Sequence, residues 1–479
     1  MQGRKRYEQR LFTMVNLEEM IRKDHLLARI DRVIDLDFIY GLTSKLYCSD
    51  NGRPSIDPVL FFRIQLIGYL YGIESDRKLC EEIHLNLAYR WFCRLNLEDL
   101  VPDHSSLTRI RDRFGVDTYQ SVFEKLIQLL RDNGFIKGRK VMADASLVEA
   151  DASINGLQER EEADLHARAL RNYEKRYHDF REGNKRRKVS NQTHVSRTDP
   201  DATLVARPGT YGKLYYKVHY AIEGKNRFII DCHATTGANH ECKILPDRID
   251  YLQNQLGMPV EEVTADKGYG RGATYGFLRE RRIRSYIPLH DDNLGQGRLT
   301  RTEFKYDRKH DRYICPNSKY LYPYDKFDKG LIKRYRIVGG HCKTCPLRSK
   351  CLPENHQNRA RFVYRNPHQD EIDKVKRRQE TAYFKDKLKQ RQWKMEGLFG
   401  EAKENHCLRR ARYRGIQKVQ IQFYMVAIVQ NFKRLLSPIF NVFKGIFFLP
   451  QRDISCNRYF IYPGTYSMCE ESQIFADAA

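Results

Sequence analysis

No apolar run in this chain reaches the roughly 18 residues that a membrane-spanning helix requires. The most apolar stretch, Ile439 to Leu449, is short and interrupted by Lys444. The N-terminus is polar and charged, so no secretory leader is expected there. Apart from one cluster the 12 cysteines are scattered, which excludes a disulfide framework and fits a reduced, cytoplasmic setting. No internal repeat is present, which excludes a solenoid. Acidic side chains are in deficit: 61 Asp and Glu against 85 Lys and Arg give a formal net charge of +24. A folded chain this basic is expected to meet a polyanion, because each phosphate it neutralises releases counterions. With 479 residues, 41% of them hydrophobic, there is enough chain for two to four domains with substantial cores.

The first 135 residues read as helical. Asn16 and Glu19 suit a capping box, and Asp57-Pro58 is a strong helix start. The segment Val59 to Tyr71 is apolar on almost every side and predicts a buried helix. Shorter helices are expected at Asp76–His84, Ser105–Phe114 and Asp117–Asp132. The second of these carries Arg109, Arg111 and Arg113, which suit either phosphate and base contacts or a solvated basic face. After Gly138 the pattern changes. Lys140–Asp144 reads as a short strand, followed by Leu147–Ile154, then Leu214–Ile222 and Arg227–Thr235. A helix striped by Leu245, Ile249, Leu252 and Leu256 leads to a strand at Glu262–Ala265, a helix near Thr274–Arg281 and a strand at Ser285–Pro288. This succession of strands and helices predicts a mixed sheet with a crossover helix. Residues 290–365 are rich in Tyr, Lys, Arg and Cys with weak periodicity, and helical signals resume from Asp370 through Glu396. A last amphipathic helix carries Ile421, Met425, Ile428, Phe432 and Leu435.

Three acids stand where such a sheet can gather them. Asp144 ends the first strand, Asp266 ends a later one before Lys267-Gly268-Tyr269-Gly270, and Glu396 lies on a C-terminal helix. Phosphoryl transfer on a nucleic acid uses hard oxygen ligands for Mg²⁺ or Mn²⁺, and three carboxylates from separate elements can hold two such ions. A strand-end Asp is also a common turn former, so spacing alone leaves both readings open. Lys403 lies seven residues beyond Glu396, two turns on and on the same face, beside a stripe of Met395, Phe399 and Ala402. Asp231 is a rival acid within a strand, Glu149 and Asp151 are candidate supporting groups near Asp144, and Trp393 suits a core position. His219 and His233 read as sheet residues.

Gly52-Arg-Pro-Ser-Ile-Asp57-Pro58, Gly68-Tyr-Leu-Tyr-Gly72 and Pro102-Asp-His-Ser105 resemble the helical N-terminal domain of DDE transposases from bacterial insertion sequences. Ala143-Asp144-Ala-Ser146, Ala265-Asp266-Lys-Gly-Tyr269 and Glu396-Gly-Leu-Phe-Gly400 with Lys403 and Arg414-Gly415 resemble that family's catalytic segments. The resemblance runs over roughly residues 15–435. It implies a ribonuclease H-like fold with Asp144, Asp266 and Glu396 as catalytic residues binding two Mg²⁺ or Mn²⁺ ions. It also implies DNA contacts from Lys403, Arg391, Arg109, Arg111, Arg113 and Arg414. Many relatives carry a Tyr and an Arg at fixed offsets before the Glu; Lys389 and Gln392 occupy those offsets here, with Arg391 and Trp393 adjacent as substitutes.

The expected organisation is an α+β and α/β multidomain chain. It has a helical DNA-binding domain (1–135), a ribonuclease H-like mixed sheet with flanking helices (136–440), and a poorly ordered tail (441–479). The catalytic domain would carry a basic insertion (158–198) and a cysteine-bearing insertion (290–365). Cys315, Cys342, Cys345 and Cys351 in the latter suit a structural Zn²⁺, or four free thiols. Expected partners are transposon terminal repeats and target DNA, with a homodimer in a synaptic complex at the nucleoid. The alternatives are a nuclease, or an inactive regulator derived from a transposase.

Overall fold

Asp57 and Pro58 begin the first long helix as their chemistry dictates. The Asp57 carboxylate accepts from the amides of Val59 and Leu60, and Pro58 sits in the first turn, where no helical partner awaits its missing N–H. The computed structural model describes residues 14–48, 51, 55–160, 190–206, 212–289, 299–327, 332–352 and 360–437. Most of the expected basic insertion (161–189) and the expected tail lie outside the described residues.

The N-terminal region is helical, as expected: α1 (Leu17–Met20), α2 (Leu26–Val33), α3 (Phe38–Thr43), α4 (Pro58–Leu70), α5 (Asp76–Leu85), α6 (Leu87–Phe92) and α7 (His104–Asp132). On α4, Val59 and every residue from Phe61 to Leu70 are buried. The two helices expected across 105–132 form α7, which kinks at Gly115. There φ is 61°, a conformation that glycine reaches without a Cβ penalty. The reciprocal box at α1 does not form. Asn16 accepts from the Glu18 amide, while the Glu19 carboxylate receives the Asn16 side chain at 3.1 Å instead of its backbone N–H.

Beyond Gly138 strands and helices follow in the expected succession, elaborated by short strands, except that the strands expected at 140–144 and 147–154 are one, ending at Glu149. The strands are β1 (Lys140–Glu149), β2 (Leu157–Glu159), β3 (His194–Ser196), β4 (Thr203–Val205), β5 (Lys213–Glu223) and β6 (Ile229–Thr236). Helix α8 (Glu241–Asp250), β7 (Glu262–Ala265), α9 (Gly272–Glu280) and β8 (Arg284–Tyr286) follow. The main sheet has the order β4-β5-β1-β7-β8, with β6 also paired to β5. β1 is antiparallel to β5 and parallel to β7, so the sheet is mixed. One expectation is corrected: Asp144 does not end a strand. β1 continues unbroken to Glu149 because β5 supplies partners along its whole length, from Val141↔Glu223 to Glu149↔Tyr215.

The 290–365 region contains a second sheet that the sequence reading did not foresee. It is built from β9 (Lys305–Asp307), β10 (Arg312–Ile314), β11 (Tyr320–Phe327), β12 (Ile332–Ile337) and, after a turn of helix α10 (Arg348–Cys351), β13 (Phe362–Arg365). Its order is β13-β12-β11-β10-β9, all antiparallel. Tyr313, Leu321, Tyr335, Ile337 and Val363 form its core with Phe304.

Three helices complete the described residues: α11 (Gln369–Arg378), α12 (Ala382–Asn405) and α13 (Ile416–Leu435). On α13 all residues from Val419 to Phe432 are buried, because it lies between the main sheet and the N-terminal helices α7 and α4. Its amides also close the edge of β6. Gln420 accepts from Ala234 N–H and donates to the Cys232 carbonyl, and Asn431 accepts from Ile229 N–H and donates to the Ile229 carbonyl. A strand edge left open is a template for pairing with other chains; here side chains occupy it.

Candidate active site

Register places the two aspartates together. Ala143 on β1 pairs with Ala265, the last residue of the parallel β7, so Asp144 within β1 and Asp266 just past the end of β7 are the next residues along. Asp144 is half-buried, and Asp266 is exposed, accepting from the Lys267 amide at 2.6 Å. Burial raises the Asp144 carboxyl above its ordinary value, and the neighbouring Asp266 charge pushes the same way. Opposing them are Arg391, whose Nη1 donates to Asp144 Oδ2 at 2.7 Å, and the Ala145 amide at 2.8 Å.

Arg391 comes from α12, which is pinned across this face of the sheet. Lys387 reaches Glu262 Oε1 at 2.5 Å with both side chains buried, and Arg227 donates to the Lys394 carbonyl at 2.9 Å. Further along, Phe399 stacks on Tyr220 with ring centroids 5.0 Å apart, and Tyr220 is the residue paired opposite Asp144. Glu396 is exposed on this same helix and accepts from Gln392 Nε2 at 3.0 Å. Met395 and Ala402 are fully buried beside it, so Glu396 sits next to the helix's packed stripe, as its sequence pattern implied. Thus the structure brings Asp144, Asp266 and Arg391 together and carries Glu396 on the Arg391 helix. Among the described residues no three His, Cys, Asp or Glu side chains already stand as a metal-binding group.

Two further neighbours are Tyr269, from the motif that follows Asp266, and Glu241, which the sequence did not single out. Tyr269 is buried where the charges of Asp144, Glu241 and Asp266 all reach it; burial foremost, and those charges with it, raise its phenol well above the usual value. Glu241, in the first turn of α8, is paired with Lys217 at 2.7 Å. Its signal in the sequence was faint, an acid at a helix start with no strand end beside it.

Other expected residues are spent elsewhere. Arg111 is 3% exposed, bonds Asp76 at 2.7 Å and stacks over Tyr413, so it is a core ion pair and not a DNA contact. Arg109 and Arg113 are exposed on α7, Arg113 lying 5.1 Å over the Tyr47 ring. Arg414 pairs with Asp151 at 3.0 Å, and Lys403 is half-buried. Asp151 and Glu149 do not support Asp144: Asp151 is held by Arg410 and Arg414, and Glu149 by Lys213. The rival Asp231 is locked to Arg248 at 2.5 Å. Trp393 is 55% exposed, not core, with Arg227 packed over its ring. His219 is a sheet residue, its Nε2 2.9 Å from Thr235 Oγ1, and burial lowers its imidazole to about 3. Cys315, Cys342, Cys345 and Cys351 line one cavity of about 30 Å³ with His341.

Residues 15–113 match the family described as Transposase domain (DUF772), and residues 314–436 match the Transposase DDE domain. The second match spans Arg391, Glu396 and Lys403; Asp144 and Asp266 fall between the two. Among solved structures, the chain is similar to the piggyBac transposase in its synaptic complex with hairpin DNA, at 10% identity and a TM-score of 0.34, over 87% of this chain and 75% of that one. It is also similar to the Mos1 transposase in a paired-end complex with the left transposon end, at 13% identity and a TM-score of 0.16, over 50% of this chain and 61% of that one. At such scores the assignment rests on the two family matches. Both are transposase domains, on separate stretches of the chain, and together they support a DNA transposase, an enzyme that acts on DNA. No helix among the described residues is long and apolar enough to cross a membrane.

Proposed function

We propose that this transposase cuts the ends of its element and joins them to target DNA through Asp144, Asp266 and Glu396 in a ribonuclease H-like domain. The observation that carries the reading is that Asp144 and Asp266 directly follow the paired residues Ala143 and Ala265 of two adjacent parallel strands, with Asp144 bonded by Arg391 from the helix that also bears Glu396. The β6-β5-β1-β7-β8 order, antiparallel on one side of β1 and parallel on the other, supports the fold. Two oxygen-rich side chains side by side, with a third on the covering helix, fit Mg²⁺ or Mn²⁺. When bound, such ions supply the positive charge that activates an attacking oxygen and stabilises a departing one. The carboxylates of Asp144, Asp266 and Glu396 would hold them. Arg391 fixes the Asp144 carboxylate, and Lys403 with the exposed Arg109 and Arg113 would meet phosphates.

In the first reaction water attacks the phosphorus at the element's end, and the P–O3′ bond breaks to leave a 3′-hydroxyl. That hydroxyl then attacks a target phosphodiester, forming a new P–O3′ bond as the target's own is broken. Two ends must be held together, so the acting species would be a homodimer or larger. A structural Zn²⁺ on Cys315, Cys342, Cys345 and Cys351 belongs to the same proposal. Its support is the shared cavity and the Lys319 amide donating to Cys315 Sγ at 3.3 Å, which fixes that sulfur toward the cavity's lining.

The test is incubation of the full chain with duplex ends of the element and Mg²⁺. Asp266→Asn and Glu396→Gln are each expected to lower cleavage at least about 100-fold, since several kcal/mol of charge stabilisation depends on the ions. Cleavage without strand transfer would leave a nuclease. Activity unchanged in Asp266→Asn would remove the acid from the mechanism.

A further inference from the structure

The second sheet has one face for its core and another that is aromatic and cationic. On β11, Tyr320, Tyr322 and Tyr324 are 42%, 43% and 54% exposed, and Tyr364 on β13 is 48% exposed. Arginines stand close to them. Arg312 stands 3.9 Å over Tyr320, and Arg336 stands 5.3 Å from Tyr324 and 5.8 Å from Phe362. Register makes this a continuous row, since Tyr322 pairs with Arg336 and Arg336 with Phe362. Spaced by two along the strand, Tyr320, Tyr322 and Tyr324 share the outer face by the ordinary alternation of side chains. Beside it opens a cavity of about 370 Å³ bounded by Tyr322, Tyr324, Arg336, Gly339, Gly340 and Lys343. That volume is within the roughly 300–1,000 Å³ of small-molecule sites.

We propose that this face binds single-stranded DNA, stacking unpaired bases on Tyr322 and Tyr324 while Arg336 and Lys343 meet the phosphates. Exposed rings beside cations match the two parts of a nucleotide, a flat π face and an anion. A duplex fits less well, because its base faces are already stacked on each other. An acidic protein would find cations but would leave the rings without stacking partners. Asp325 and Asp307 are already held by Arg334 and Arg312, so the acids near this face do not cancel the charge of Arg336. The inference rests on the transposase reading for its choice of DNA: strand cleavage at an element's end exposes unpaired nucleotides.

Anisotropy of a labelled single-stranded oligonucleotide, and of a blunt duplex of equal length, tests it on the full chain without added metal. The double variant Tyr322→Ala/Tyr324→Ala is expected to weaken single-strand binding roughly 5- to 100-fold, the effect of losing base stacking. Duplex affinity stays as in the wild type. The pair Tyr322→Phe/Tyr324→Phe keeps the rings and is expected to bind as the wild type does. Arg336→Gln is expected to lower the salt slope by about one phosphate contact. Equal binding by the alanine variant, or equal loss on duplex and single strand, overturns the platform. If those results accompany intact cleavage, the platform alone fails. If single-strand binding responds as expected while the wild type does not cut DNA, the platform stands and the transposition chemistry fails.

Discussion

Arg391 and Arg111 are both helix arginines in a very basic chain, and their partners separate them. Arg391 meets Asp144 across 247 positions of sequence, whereas Arg111 is neutralised by Asp76 in the helical region. Neither pairing is visible in local spacing, which explains why Arg111 reads as a DNA contact and why Arg391 stands out merely as a neighbour of a vacant motif position. Asp144 and Asp266 were legible because their side chains follow strand patterns whose register is set by short apolar runs. Arg391→Ala is expected to lower cleavage about 10- to 100-fold, the usual effect of losing a group that orients a metal ligand, the role proposed for Asp144. Arg391 also holds the Asp144 carboxyl down against burial. Without it that carboxyl rises further, and a proton competes with the metal to higher pH. The rate–pH profile of the variant should therefore shift to the alkaline side and its Mg²⁺ requirement should increase; loss of rate with neither change would indicate damage to packing alone.

Helices α12 and α13 are clasped through Glu401. Lys433 reaches its carboxylate at 2.6 Å, Arg434 stands at 3.7 Å and His406 at 3.6 Å. Burial alone would raise this carboxyl, but the His406 hydrogen bond and the Lys433 and Arg434 charges outweigh it and hold it at about 2, below the ordinary 4.5. A depressed carboxyl contributes stability that is complete above its unfolded value and is lost as pH falls from about 4.5 through about 2. Glu401→Gln is expected to cost about 1–3 kcal/mol at neutral pH, an amount consistent with that shift and with a partly buried ion pair. Denaturation midpoints at neutral pH and near pH 3 check this, since the difference between variant and wild type should shrink in acid.

The same scale shows what the sequence concealed. The strands from Lys305 to Arg365 lack apolar–polar alternation because both faces carry aromatics: Tyr313 and Tyr335 inward, Tyr320, Tyr322 and Tyr364 outward. A hydropathy pattern cannot tell a buried tyrosine from an exposed one. The main sheet was legible because Val141, Val148, Ile229 and Val263 are aliphatic and fully or almost fully buried.

Across residues up to 436 the helical region and the main sheet belong to one compact unit, with α13 between them. Phe123 of α7 packs on Tyr424 with centroids 5.4 Å apart, while Gln420 and Asn431 of the same helix bond β6. Residues 1–436 are therefore expected to unfold in a single cooperative transition by calorimetry. A chain beginning at residue 136 would uncover the α7-facing side of α13, and each large apolar side chain left in water forgoes about 1.5–3 kcal/mol. It should aggregate or lose that transition. Two well-separated transitions in the longer chain would instead show the regions to be independent.

The burial of α13 also bears on how such a gene decays. A Pro or a charge placed anywhere from Val419 to Phe432 would disturb the seat of the N-terminal helices and the edge of β6 in a single stroke. A variant of this chain can thus lose its fold with all three proposed acids still in place. Intact Asp144, Asp266 and Glu396 would then say less about whether such a chain is active than the spelling of this one helix.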